Sequence, residues 1–307
     1  MGAIQHWAAS QQAYDNIFCV VDLHAITIPQ NPEELKKKIR ETAGLLLAAG
    51  IDPERSVLFI QSHISAHTEL AWILNGLVSI GQMQRMTQFK DKSKRDNKNV
   101  TAGLFNYPLL MAADILLYKT DLVPVGNDQK QHLEFTRYVA QKFNKQYGHT
   151  FKVPETVIPK KGARIMGLDN PLKKMSKSEK THGHAINLLD SPEDIRSKVM
   201  KATTDSLREI RFDENRAGVH NLLVIYELFT RKKRDGIEAG FFGKGYIDLK
   251  RELSELIIAR LKPIQSRFNA LMEDPNHIER ILTEGAEKIR PIAESVLKSV
   301  KSSLGLR

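Results

Sequence analysis

Ile17-Phe18-Cys19-Val20-Val21-Asp22 is a run of five apolar residues, most of them β-branched or aromatic, that stops at a carboxylate. An unbroken apolar run of this kind suits a strand covered on both faces of a parallel sheet, where no alternation with polar residues is needed. Downstream, Asn31-Pro32-Glu33-Glu34 supplies a capping amide, a proline and two acids, the ingredients of a helix start. That helix carries Leu35, Ile39, Ala43 and Leu46 on one face, and Gly50 closes it. Val57 to Ile60 reads as a second buried strand, so the segment predicts a right-handed strand–helix–strand crossover.

The same alternation continues outward. A helix runs through Leu70, Ile73 and Leu74, and Pro108 to Tyr118 is a buried helix, apolar all round except at Asp114. Leu122 to Val125 is a short strand, and Gly126-Asn127-Asp128-Gln129 turns into a helix with Phe135, Val139 and Phe143 on its apolar face. Pro154 to Pro159 reads as a connector toward a strand at Gly162 to Met166. Past residue 184 strand signals cease, and helices are expected from Pro192 and over about 221–230, 249–272 and 277–303. The expectation is an α/β domain over residues 1–183, with a doubly wound, Rossmann-like parallel sheet, followed by a small all-helical domain over 184–307.

With 307 residues, 41% of them hydrophobic and 27% charged, the chain has the material for two packed domains and lacks the composition of a disordered one. Lys and Arg outnumber Asp and Glu by 46 to 36, a balance that suits a phosphate or nucleic-acid partner. The excess is concentrated: 24 basic against 17 acidic residues up to residue 183, and 22 against 19 beyond it. The single cysteine, Cys19, sits inside an apolar run, allows no internal disulfide and fits a reducing compartment. No apolar run approaches the ~20 residues that span a bilayer, and the first residues lack the apolar core of a signal peptide. A cytoplasmic protein without membrane contact is expected.

Between Lys152 and Lys180 eight basic residues face three acids, and Lys173-Lys174-Met175-Ser176-Lys177-Ser178 is crowded with ammonium groups. Such a loop is either a solvated surface or a polyphosphate site. Asp114 is more demanding, because an unpaired buried carboxylate costs several kcal/mol. It needs either a Lys or Arg partner or a donor ligand, such as an indole N–H. Gly126 to Gln129 combines close backbone approach with a carboxylate for ribose hydroxyls, though Asp128 serves equally as a helix cap. His63 and His67 have the four-residue spacing of a helical metal pair, but with no accompanying Glu or third ligand they are expected on the solvent side. Arg231-Lys232-Lys233-Arg234 is a solvated loop or an RNA phosphate contact.

Gly162-Ala163-Arg164-Ile165-Met166 followed by Lys174-Met175-Ser176-Lys177-Ser178 resembles the second signature of class I aminoacyl-tRNA synthetases. With Val21 to Thr27, Met86 to Lys90, Met111 to Leu117 and Val123 to His132, the chain is similar to the bacterial-type tryptophanyl-tRNA synthetases from Gly2 to about Gly305. Tyrosyl-tRNA synthetases share the lysine loop, but the Met111-Ala112-Ala113-Asp114 run favours the tryptophan family. The resemblance implies ATP-dependent activation of L-tryptophan and its transfer to tRNA(Trp). It implies that Lys92, Lys174 and Lys177 hold the pyrophosphate end, and that Gly126, Asn127, Asp128, Ile165, Met175, Ser176 and Ser178 contact ATP, with Mg2+ carried by the nucleotide. It implies that Asp114 accepts the indole N–H, that Met111, Val123 and Val125 wall the ring, that Tyr107 and Gln129 hold the amino group, and that His24 and Gln88 line the site. It further implies a homodimer, an anticodon site in the helical domain, and a last helix packed on the catalytic domain. The family's first strand and its histidine-or-threonine, glycine and asparagine signature have no counterpart here, so adenylate formation near background is expected from these residues alone. An RNA- or tryptophan-binding paralogue without activity is the competing class.

Overall fold

The computed structural model describes residues 2–86, 101–126, 129–157, 165–176, 181 and 183–306. They form two compact units, residues 1–160 with 271–307, and residues 161–270.

In the first unit, β1 (Asn16–Val20) and β2 (Ser56–Ile60) pair in parallel, Phe18 opposite Leu58. Between them in the chain lies α3 (Pro32–Ala48), preceded by α1 (Gly2–Ser10) and the single turn α2 (Asp22–Ala25). Asn31 caps α3 as expected, its side-chain oxygen accepting the N–H groups of Glu33 and Glu34 at 3.0 and 3.1 Å. Gly50 ends it with φ +108°, a value that glycine adopts without strain.

β2 is buried along its whole length, and its side chains alternate between two cores. Val57 and Phe59 join the larger core, built on α4 (Ala66–Asn75), α6 (Ala102–Leu116) and α7 (Lys130–Tyr147). Leu58 and Ile60 join a smaller one with Val20 and Ala43. The expectation of full burial fails for β1, where Ile17 is 37% exposed and only Val20 is buried, because β1 bonds to β2 alone among the described residues. A second parallel ladder joins β3 (Leu122–Pro124) to β4 (Glu155–Val157). β4 occupies the stretch read from sequence as a connector; three residues between two prolines are too short for a periodic signal. A short α5 (Ile80–Met83) lies between α4 and α6.

The last helix, α12 (Pro275–Ser303), belongs to this unit and crosses β2 at Gly285. The approach is so close that a Cβ on Gly285 would lie 2.0 Å from the carbonyl oxygen of Leu58. Ile278, Leu282, Ala286, Ile289, Ala293 and Val300 line its buried face at helical spacing.

The second unit contains α8 (Pro192–Met200), α9 (Ala217–Thr230), α10 (Arg234–Gly240) and most of α11 (Tyr246–Glu273). The compact unit therefore begins at 161 and ends at 270, whereas the sequence division falls at 183. Met166 exchanges two hydrogen bonds with Asn221 on α9, which accounts for the grouping of its segment with the helices.

Candidate active site

The C-terminal ends of parallel strands are where open α/β sheets bind ligands. Asp22 follows β1, and its Oδ1 accepts the backbone N–H groups of Leu23 and Ser62, both at 3.0 Å, tying the two strand ends together. Gln61 follows β2, is fully buried, and accepts the Leu23 N–H on Oε1 at 3.1 Å. Its Nε2 donates to Oδ1 of Asp114 at 2.6 Å.

Asp114 projects from α6 and is bound by three elements. His67 on α4 donates from Nδ1 to Oδ1 at 2.6 Å, and His24 on α2 donates from Nε2 to Oδ2 at 2.8 Å. Burial by itself pushes the Asp114 carboxyl up, but hydrogen bonds from His24 and His67 and their charge outweigh it and hold the group below the usual carboxylate range. The partners are thus two histidines and an amide, not the Lys or Arg that sequence left open. His67 is 0% exposed, which corrects the solvent-side reading, while His63 is half-buried. The spare nitrogen of His67, Nε2, meets the Tyr118 hydroxyl at 2.6 Å, so both ring nitrogens are spent on protein partners rather than a metal.

Three of the expected tryptophan-site residues come together here. The ring of Tyr107 packs edge-on to that of His24, with centroids 6.3 Å apart, and His24 holds Asp114. Tyr107, Met111 and Asp114 lie at helical spacing on α6, one stripe of one helix. The Tyr107 hydroxyl shares a 2.6 Å hydrogen bond with Nε2 of His132, and burial pushes its phenol up to about 12. Val123 lies on β3, Val125 donates its N–H to Val157, and Gln129 turns back to bond the carbonyl of Gly126 at 3.0 Å as α7 begins. Gln61, Tyr118 and His132 were not singled out from sequence, and His67 was read only as half of a solvent-side histidine pair. A buried polar residue after an apolar strand was the only available signal, and Gln61 carries it. Cys19 is held as a thiol, pushed up first by burial and then by the charges of Asp114 and Asp22.

Gln88, Lys92, Asn127, Asp128, Lys177 and Ser178 lie outside the described residues. Ile165, Lys174, Met175 and Ser176 are in the second unit. Of the strand expected at 162–166, residues 162–164 lie outside the described residues, and Met166 forms an antiparallel bridge with Lys174. It is extended by Met175 N–H to Ile165 C=O at 3.0 Å and Gly167 N–H to Lys173 C=O at 2.8 Å. Asn221 on α9 completes this hairpin as a third strand would. Its Oδ1 accepts the Met166 N–H at 2.8 Å and its Nδ2 donates to the Met166 carbonyl at 2.9 Å. His184, buried over Gly167, bonds Asp169 at 2.6 Å and the Lys174 carbonyl at 3.0 Å. The Lys174 backbone is thereby fixed while its side chain is exposed.

A family model described as tRNA synthetases class I (W and Y) matches residues 1–262. The chain belongs to the class I tRNA synthetases of the tryptophan and tyrosine group. The tryptophan–tRNA ligase of Wolinella succinogenes is 55% identical over 306 residues, spanning 100% of this chain and 93% of that protein. That of Bacillus subtilis is 50% identical over 100% of this chain and 92% of its own length. Among solved structures, the tryptophanyl-tRNA synthetase of Campylobacter jejuni, complexed with ADP and tryptophan, superposes with a TM-score of 0.88 at 34% identity. It covers 99% of this chain and 94% of its own. The enzyme of Mycoplasma pneumoniae gives 0.88 at 36% identity, over 99% and 92%. This class I synthetase thus has the Rossmann-like α/β fold with a helical domain expected from sequence.

Proposed function

We propose that the chain activates L-tryptophan with ATP and passes it from the adenylate to tRNA(Trp), releasing pyrophosphate and AMP. The observation that carries this reading is the likeness, 50 to 55% identical over the whole chain, to proteins named tryptophan–tRNA ligase. A tyrosine enzyme and an inactive paralogue have no comparable support.

One oxygen of the tryptophan carboxylate attacks the α-phosphorus of ATP, the bond to the bridging oxygen breaks, and pyrophosphate leaves with the electron pair. No covalent enzyme intermediate is needed, so the protein contributes positioning and stabilisation of charge on the phosphates. Lys92, Lys174 and Lys177 neutralise the departing pyrophosphate, and Mg2+ travels on the nucleotide. Gly126, Asn127 and Asp128 meet the ribose, Ile165 the adenine, and Met175, Ser176 and Ser178 the phosphates. The Lys174 anchor described above supports that role, because a fixed backbone delivers an exposed ammonium group to a repeatable place.

Asp114 accepts the indole N–H. Met111, Val123 and Val125 wall the ring, Tyr107 and Gln129 hold the ammonium group, and His24 and Gln88 complete the lining. Residues 1–183 form the catalytic domain, residues 184–307 carry the anticodon contacts with the last helix packed back on the catalytic domain, and the enzyme works as a cytoplasmic homodimer. Among the described residues no helix is long and apolar enough to cross a membrane.

Tryptophan-dependent ATP–pyrophosphate exchange tests the reading. Exchange that depends on tryptophan and not on tyrosine is expected, in place of the near-background adenylate formation anticipated from sequence; exchange driven equally by tyrosine refutes the specificity.

A further inference from the structure

Oδ1 of Asp114 accepts from both Gln61 and His67, which are fully buried, and this uses both of its lone pairs. Oδ2 accepts one bond, from His24, and keeps one lone pair. The accessible side is the Oδ2 side: the Asp114 and His24 side chains are 13% and 20% exposed, and His67 is sealed. The carboxylate therefore has a dry oxygen saturated by protein and an accessible oxygen with one place left.

The proton positions behind it follow from the chemistry of the partners. An ionised carboxylate only accepts, so His67 presents Nδ1–H to Oδ1. Nε2 and the Tyr118 hydroxyl share a hydrogen bond of 2.6 Å, so the second ring nitrogen is held as well. Phe59 stacks on the His67 ring with centroids 5.9 Å apart and Tyr118 packs against it at 5.6 Å, so aromatic packing as well as the two hydrogen bonds restrains the imidazole. Burial raises the Tyr118 phenol far above its ordinary range, so the hydroxyl keeps its proton.

We infer that His67, held by Tyr118, is a specificity-setting positioning residue: it fixes the Asp114 carboxylate so that Oδ2 alone, at one angle, meets the N–H of the bound amino-acid side chain. This rests on the assignment of Asp114 to the indole N–H. A ring that carries no N–H, or whose donor sits elsewhere, finds an acceptor that cannot rotate to meet it. His67 touches no substrate and acts only through Asp114.

The test is equilibrium dialysis of the protein with labelled tryptophan, and competition by 3-benzothienylalanine, which replaces the indole N–H with sulfur. His67→Leu keeps bulk and removes the donor, and His67→Asn keeps an N–H near the Nδ1 position. Tyr118→Phe removes only the hydroxyl. Tryptophan affinity is expected to fall about tenfold in His67→Leu and about threefold in Tyr118→Phe, the scale of one net hydrogen bond. Benzothienylalanine affinity should change less than about twofold, and His67→Asn should recover part of the tryptophan loss. Equal losses for both ligands, or none for tryptophan, overturn the inference. If His67→Leu does not fold, Tyr118→Phe decides by the same ratio. Asp114→Asn separates the two levels. If it leaves the ratio of the two ligands unchanged, the indole assignment itself is wrong. If it abolishes the ratio while His67 and Tyr118 variants do not, only the positioning role falls.

Discussion

Gly285→Ala is expected to loosen the crossing of α12 over β2 and, through it, the tryptophan site. A Cβ at 285 would meet the Leu58 carbonyl oxygen at 2.0 Å and its carbon at 2.8 Å, where ordinary contact begins at 3.4 Å. Roughly 1.4 Å must therefore be found, and neither side can yield it cheaply. Leu58 lies mid-strand in the ladder with β1, and α12 is pinned on both sides of the crossing by Leu282, Ala286 and Ile289. Overpacking of a core costs about 1 to 3 kcal/mol, and a contact of 2.0 Å against backbone lies at the upper end of that range. Replacing a helical glycine by alanine returns about 1 kcal/mol. A net loss of about 2 kcal/mol corresponds to a fall in melting temperature of about 4 to 8 °C for a unit of this size. Gln61 follows β2 directly, so tryptophan affinity should fall with the strand's displacement. Calorimetric melting and dialysis against tryptophan measure both effects. A melting temperature within about 1 °C of the parent would refute the close crossing, since that cost could not be hidden.

Asn221→Ala removes both bonds that hold Met166, and should raise the KM for ATP about tenfold in pyrophosphate exchange while leaving the KM for tryptophan unchanged. Equal changes in both would show that Asn221 does not act through the lysine loop. Lys174→Ala should lower exchange about a hundredfold or more with tryptophan binding intact by dialysis, because it removes a charge that matters most as pyrophosphate departs. Asp114 makes stability pH-dependent. Its folded pKa lies below its unfolded value, so the unfolded chain binds more protons in the window between them. Its contribution is complete above the ordinary carboxylate range and is lost as pH falls through the depressed value. Urea midpoints from about pH 6 to about pH 3 should therefore fall less steeply in Asp114→Asn than in the parent, and parallel slopes would contradict the assignment.

Local chemistry reached the sequence without distortion. The amide of Asn31, Pro32 at the first helical turn and the positive φ of Gly50 are decided within a few residues of themselves, and the helix between them forms where it was read. The apolar run at Val57 announced a strand covered on both faces, and β2 is that strand. The parallel run at Ile17 made the same announcement and is half exposed, because an apolar run records what a strand can bury, not which neighbours arrive to cover it. The need of Asp114 for a partner was also legible, since it follows from the solvation of a charge.

Which partner answers that need was a matter for the tertiary structure alone. Gln61 and His67 stand 53 and 47 residues from Asp114 in the chain, on a strand end and a different helix, and no periodicity relates them to it. Asn221 reaches Met166 across 55 residues in the same way. Residues 271–307 join the first unit although the chain delivers them after the second, because Gly285 permits a helix to lie against a strand already buried on its other faces. Sequence by itself determined the elements, the lysine loop and the one carboxylate that must be satisfied, since these depend on short-range conformational and solvation energies. The orientation of that carboxylate, with one oxygen closed by Gln61 and His67 and the other left with a place for an N–H, came from packing. Only the folded chain brings donors from three elements to a single pair of atoms.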